Sequence, residues 1–254
     1  RTFIGSIFLF LAVKFRGGSI SLFSENTRIY SLVGLLNASI PFTLLPYGLI
    51  TLPSNIGVII LSANPFLALV LAHFFTLDEK LSLRKVIGSV IGFSGVVFAV
   101  GVEIFVSDWD SLISAIAIYV GASSYVISNL IIRRISHLPS DMVTMNTLFW
   151  GSVWLLPLVL IYGNLQNIEF SSIPVFAIIY LGVIPTGLAF SLRQVLIRKA
   201  GSTFMMQVGY IIPIFGVFYG WIFLDEKVGY SLIISVLLVV IGIGISRIRV
   251  PIKE

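Results

Sequence analysis

Near-continuous apolar stretches of about 20 residues, such as the one through residues 232–245, recur along the whole chain with only short polar connections between them. In a bilayer every backbone N–H and C=O must be satisfied within its own segment, so such stretches fold as membrane-crossing helices of about 20 residues. A transmembrane β-barrel requires alternating segments of about ten residues, which the unbroken runs exclude. Nine helices are expected, near residues 1–15, 29–50, 53–77, 84–104, 111–132, 141–162, 172–193, 202–224 and 229–248. With 57% hydrophobic and 11% charged residues, the chain is far from the roughly 25% charge of soluble domains. The expected fold class is an all-α polytopic membrane protein whose first partner is the lipid bilayer.

The absence of cysteine removes thiol chemistry, and His73 and His137 lie in different segments, so neither a metal site nor a cofactor is expected. A pI of about 9.6 raises the question of nucleic acid, but the positive charges are spread over many short loops. Threading the nine segments back and forth puts 14 of the 16 Lys and Arg residues on one face, leaving only Arg1 and Lys227 on the other. The positive-inside rule makes the first face cytoplasmic, places the C-terminus there and points to a cell (inner) membrane.

Asp78-Glu79-Lys80 recurs 147 positions later as Asp225-Glu226-Lys227, each copy closing one apolar segment and opening the next. Gly95 and Gly242 keep the same offset, and Pro65 falls one residue short of matching Pro213. This is a repeat of architecture. The threading puts the two Asp-Glu-Lys copies on opposite faces, so the repeats, 1–105 and 106–254, are inverted. Inversion needs an odd number of helices per repeat. The second repeat has five and the first shows four, so the first helix of ten is expected to be missing from this sequence. Inverted repeats are a transporter architecture, because two exchangeable halves provide outward-open and inward-open states around one midplane site.

Asn64-Pro65, followed by Asp78-Glu79 and glycines 88, 92 and 95, together with Tyr210 to Pro213, Asp225-Glu226, Gly242 and Gly244, resembles the EamA-type branch of the drug/metabolite transporter superfamily. The resemblance implies ten helices in two inverted five-helix repeats and a small-molecule substrate. The missing first helix and the longer stretch from Pro185 to Ala200 depart from the pattern.

Substrate-binding residues are expected where polar groups and prolines interrupt the spans. Asn37 and Pro41 lie one helical turn apart, as do Tyr119 and Ser123. Ser62 shares a face with Pro65 and has Asn64 beside it, and Gln207, Tyr210 and Pro213 cluster on the eighth segment. Serine and threonine in spans also bond to their own helix, which is the structural alternative for Ser62 and Ser123. Arg193 shares a helical face with Thr186 and Phe190. It is either an anchor for a carboxylate or phosphate, or a side chain that snorkels to the interface near Arg198 and Lys199. Glu79 and Glu226, at helix junctions, are expected to pin loops.

The acidic residues all fall in loops or at segment ends, which argues against a membrane-glutamate proton relay. The reading is a secondary transporter, not an enzyme, exporting a small metabolite such as an amino acid by alternating access, with a homodimer permitted. An organic-anion or phosphorylated-sugar exchanger is the alternative if Arg193 faces the cavity. A membrane-embedded enzyme acting on lipid-linked substrates is a further alternative, requiring clustered His, Asp or Glu.

Overall fold

The computed structural model describes residues 1–15, 17, 22–75, 82–100, 109–135, 137–163 and 172–247, and among these every regular element is helical. The elements are α1 (Thr2–Phe15), α2 (Thr27–Gly34), α3 (Ile40–Thr51), α4 (Ser54–Leu61), α5 (Asn64–Phe75), α6 (Leu83–Val100), α7 (Trp109–Arg134), α8 (Ser140–Tyr162), α9 (Ser172–Leu181), α10 (Ala189–Leu224) and α11 (Tyr230–Arg247). Stretches Thr27–Thr51, Ser54–Phe75, Trp109–Ile132, Ser140–Tyr162 and Ile173–Arg193 are long and apolar enough to cross a membrane. Their outer faces carry bare apolar side chains, among them Ile50, Leu160, Ile173 and Phe176. Patches of this kind are matched by lipid rather than water.

The chain divides into two compact units, one of Arg1–Phe42 and Ile127–Met205, the other of Thr43–Val126 and Met206–Glu254. Each unit therefore draws on both expected repeats. Asp78-Glu79-Lys80 lies outside the described residues.

In the first unit, a π-helical turn, Leu35–Ser39, joins α2 to α3, and a second, Gly182–Leu188, joins α9 to α10. Proline explains both. Pro41 has no N–H and its ring would collide with the carbonyl one turn back, so the helix takes in an extra residue and the Ile40 N–H bonds the Leu35 carbonyl. Pro185 lies inside the second turn. Gly182 follows Leu35 by 147 positions, the offset of the Asp-Glu-Lys copies. At that same offset, Ser39 and Thr186 each turn a hydroxyl back into the π turn. Thr186 Oγ1 donates to the Leu181 carbonyl at 2.7 Å. Ser39 Oγ reaches the equivalent Gly34 carbonyl at 3.5 Å, but makes its shorter bond, 2.8 Å, to the Gly151 carbonyl of α8. The pairings around these turns also correspond, with α8 packed on one and α1 on the other.

Glycines permit this closeness. A Cβ on Gly34 would lie 2.6 Å from the Gly151 nitrogen, and one on Gly182 would lie 2.7 Å from Ile4 Cβ.

In the second unit, α6 and α11 pack along their lengths, and both of their ends are offset by 147 residues. A Cβ on Gly95 would meet Ser235 O and Val239 N at 2.9 and 3.1 Å, whereas one on Gly242 would strike the backbone of Gly88 and Gly92. Gly88 corresponds to Ser235 and Gly92 to Val239 at the same offset, so the contact is reciprocal. Moving up α6 from Gly88–Gly92 to Gly95 means moving down α11 from Gly242 to Ser235–Val239. The two helices are therefore antiparallel. Gly92 and Gly95 thus serve as close helix contacts, with Gly92 also accommodating the Phe66 ring.

Two helix boundaries differ from expectation. The break expected between 193 and 202 is absent, and α10 continues through it as helix. Residues 193–200 are mostly Arg, Gln, Leu, Lys and Ala, strong helix formers with no proline among them. Pro213 likewise lies in unbroken α10. By contrast, the third segment is interrupted at Ser62-Ala63, where the Ser62 and Ala63 N–H groups bond back to Ile59 and Ile60 carbonyls at 3.0 Å and Pro65 has no N–H for Leu61.

Glu226 behaves as expected of a junction residue. Its Oε1 accepts from Ser54 N at 2.7 Å and its Oε2 from Asn55 N at 3.0 Å. It thereby caps the first turn of α4, where Pro53 supplies no side-chain acceptor. Asp225, at φ 52, adopts the left-handed conformation that turns the chain toward this cap. Glu226→Ala should lower the stability of the detergent-solubilised protein by about 1–2 kcal/mol, through loss of a cap and its helix-dipole interaction. An unchanged thermal midpoint would contradict that role.

Candidate functional site

One small cleft in the first unit is lined by Asn37, Ile132, Thr144, Thr147, Phe190 and Arg193. Its free space is about 10 Å³, room for one water-sized occupant. Four local features build it. The π turn before Pro41 carries Asn37, and the first two turns of α8 carry Thr144 and Thr147. The start of α10 carries Phe190 and Arg193, and the last turn of α7 carries Ile132.

Its polar groups are unequal. Thr144 Oγ1 donates to the Ser140 carbonyl at 2.8 Å and so is satisfied within its own helix. Asn37 Oδ1 and Thr147 Oγ1 are buried without a hydrogen-bond partner, in residues 4% and 2% exposed. Each such orphan costs roughly 1–3 kcal/mol, a penalty that a bound polar ligand removes. Arg193 is half-buried and its Nη2 donates to Asn129 Oδ1 of α7 at 2.8 Å. The guanidinium is therefore held at the cleft. Phe190 packs on its apolar side against the cluster of Leu9, Met145 and Leu148.

Of the residues expected to bind substrate, Asn37 and Arg193 meet here. Pro41 is fully buried and Thr186 is tied to the Leu181 carbonyl, so both shape π turns and offer the cleft no free polar group.

The second unit holds the others. Ser62 Oγ donates to the Val58 carbonyl at 2.9 Å, the structural alternative for a serine in a span. Asn64 Nδ2 donates to the Ala122 carbonyl at 2.9 Å, while Asn64 Oδ1 and Ser123 Oγ stay buried without partners. Tyr119 packs against the core of Leu52, Ile59 and Ile118. Pro65 follows the helix interruption. Pro65, Gln207, Tyr210 and Pro213 have side chains outside the described residues.

Sequence reasoning missed Thr144, Thr147 and Asn129. A signal existed for the first two: Ser140, Thr144, Thr147 and Gly151 repeat at helical spacing, and all four are buried.

A model of the EamA-like transporter family matches residues 1–101 and 112–248. The chain belongs to the EamA-like transporter family. This EamA-like protein is 28% identical to the uncharacterized transporter YoaV of Bacillus subtilis (strain 168) over 250 residues, covering 96% of this chain and 83% of that relative. It is 25% identical to the uncharacterized transporter YvbV of the same organism, covering 96% and 79% of the two chains. An uncharacterized transporter of Archaeoglobus fulgidus is 22% identical over 204 residues, covering 78% of this chain and 68% of the relative. A solved crystal structure shares the fold with a TM-score of 0.71 at 18% identity, covering 97% of this chain and 84% of that one. The EamA-like protein is thus a multi-pass membrane transporter, and the family points away from an enzyme.

Proposed function

We propose that this EamA-like transporter is a secondary carrier that exports a small zwitterionic metabolite of the amino-acid type by alternating access. The observation that carries the reading is the cleft in which Arg193 stands with two orphaned oxygens, Asn37 Oδ1 and Thr147 Oγ1. A guanidinium takes a carboxylate through charge-assisted bonds. A carbonyl oxygen such as Asn37 Oδ1 accepts from an ammonium group, and the Thr147 hydroxyl can donate or accept. These are the two ends of an α-amino acid. The space is small, so the substrate's arrival must accompany a widening of the cleft, as alternating access requires.

The 147-residue correspondences of the π turns, and of antiparallel α6 and α11, support two inverted repeats, 1–105 and 106–254. The charge asymmetry of the loops supports an inner-membrane location with the C-terminus in the cytoplasm.

The organic-anion reading also uses Arg193. A phosphorylated sugar, carrying close to two negative charges, calls for more than the single cation among the described lining residues. Efflux from membrane vesicles loaded with amino acids, organic acids, sugar phosphates or lipophilic amines tests the choice. Flux confined to amino acids is expected. Flux of sugar phosphates alone would overturn the zwitterion reading.

A further inference from the structure

Ser39 and Thr186, 147 positions apart in the two π turns of the first unit, use their hydroxyls differently. Ser39 Oγ donates across to the Gly151 carbonyl of α8 at 2.8 Å, with the Gly34 carbonyl of its own turn at 3.5 Å. Thr186 Oγ1 instead donates within its own turn, to the Leu181 carbonyl at 2.7 Å. The helix packed on the Thr186 turn is α1, where Ile4 corresponds to Gly151 at the same offset. Thr186 points its methyl at that helix, with Cγ2 only 3.2 Å from where a Cβ on Gly5 would lie. Methyl and hydroxyl share one Cβ, so a rotation of about 120° at χ1 puts the hydroxyl where the methyl is, beside the Ile4–Gly5 peptide. One turn is thus bridged to its neighbouring helix and the other is closed on itself.

We infer that Ser39 and Thr186 form a two-way latch, each hydroxyl holding one of the two access states. In the state opposite to this one, Thr186 bridges to the Ile4 carbonyl of α1 and Ser39 closes on the Gly34 carbonyl. The inference rests on the reading of two inverted repeats that work by alternating access, in which the opposite-facing state is reached when the halves exchange conformations. The two kinds of bond are unequal. A hydroxyl turned back onto its own helix adds little stability, whereas a bond between helices in a membrane shifts an equilibrium about threefold to tenfold. Removing either hydroxyl therefore costs more in the state where it bridges than in the state where it closes.

The test uses the full chain in oriented membrane vesicles. The sequence has no cysteine, so Ile132→Cys places a single thiol in the cleft. Its labelling by a membrane-impermeant maleimide from each side gives the ratio of the two access states. In this background, Ser39→Ala and Thr186→Val should each move the ratio about threefold to tenfold, in opposite directions. The double variant should return close to the parent ratio, and Thr186→Ser, which keeps the hydroxyl, should leave it unchanged. Shifts in the same direction, a shift from one variant alone, or none from either overturns the latch. If Thr186→Val does not fold, Thr186→Ala removes the same hydroxyl. The parent separates the two levels. A thiol reached from both sides without opposed shifts in the variants refutes only the latch. A thiol reached from one side alone, with or without each of the common amino acids, refutes alternating access and the latch with it.

Discussion

Replacing Arg193 with Gln is expected to raise the half-saturating concentration of an amino-acid substrate at least tenfold while leaving the protein folded. The size follows from the chemistry. A hydrogen bond to a charged partner is worth about 1.5–3 kcal/mol, equivalent to roughly ten- to more than a hundredfold in affinity. Folding should survive because Arg193 is only half-buried and the Asn129 side chain it bonds is exposed. Arg193→Lys should fall between the two, keeping the charge but losing the planar fork that grips both carboxylate oxygens. Transport kinetics measured on protein of matched thermal midpoint decide the matter. If Arg193→Gln behaves as wild type, the side chain is an interfacial anchor and the cleft is not the carboxylate site.

Gly242→Val is expected to deplete the folded protein severely. Even the first carbon of a side chain at 242 would strike the Gly88 carbonyl and the Gly92 backbone, and backbone cannot yield as a rotamer can. Overpacking of this kind costs about 1–3 kcal/mol where neighbours can adjust, and here they are helix main chain. That is a large share of a total stability of roughly 5–15 kcal/mol. Gly244 is the internal control. It lies on the same helix, and a Cβ there meets nothing within 4 Å, so Gly244→Ala should be nearly neutral apart from a small gain in helix propensity. Yield of monodisperse protein and its thermal midpoint in detergent read the difference. Equal behaviour of Gly242→Ala and Gly244→Ala would contradict the reciprocal contact between α6 and α11.

The legible part of the fold is the part dictated by hydropathy and by repetition. The apolar runs located the five span-length stretches, and the offset between two charged tripeptides also relates the ends of α6 to those of α11. Glu226 was recognisable as a junction residue because a carboxylate beside the start of a helix has backbone donors to satisfy. What the sequence hid were effects of one residue. Pro41 signalled a disturbed helix but not that the disturbance is a π turn, and the sequence did not show that the turn at Gly182–Leu188 ties the Thr186 hydroxyl to the Leu181 carbonyl. The continuity of α10 through 193–202 was hidden for the opposite reason. Arg198 and Lys199 look like a loop by charge, yet are good helix formers by propensity.

The site was half legible. Asn37 and Arg193 stood out because an amide or a guanidinium inside a span is costly to leave unpaired. Thr147 did not, since threonine in a membrane helix is ordinarily satisfied by its own backbone, as Thr144 is. Only the packing distinguishes them, because Thr147 Oγ1 is left without a partner. Asn129, also an amide within an expected span, carried the same signal, but its pairing with Arg193, 64 positions away, is set by packing rather than by local sequence.

The most direct measurement of the central claim is counterflow through purified protein reconstituted into liposomes. Vesicles preloaded with an unlabelled amino acid should take up the same labelled amino acid faster than empty vesicles, and Arg193→Gln should reduce that acceleration at limiting substrate. No acceleration over protein-free liposomes for any amino acid would contradict the account.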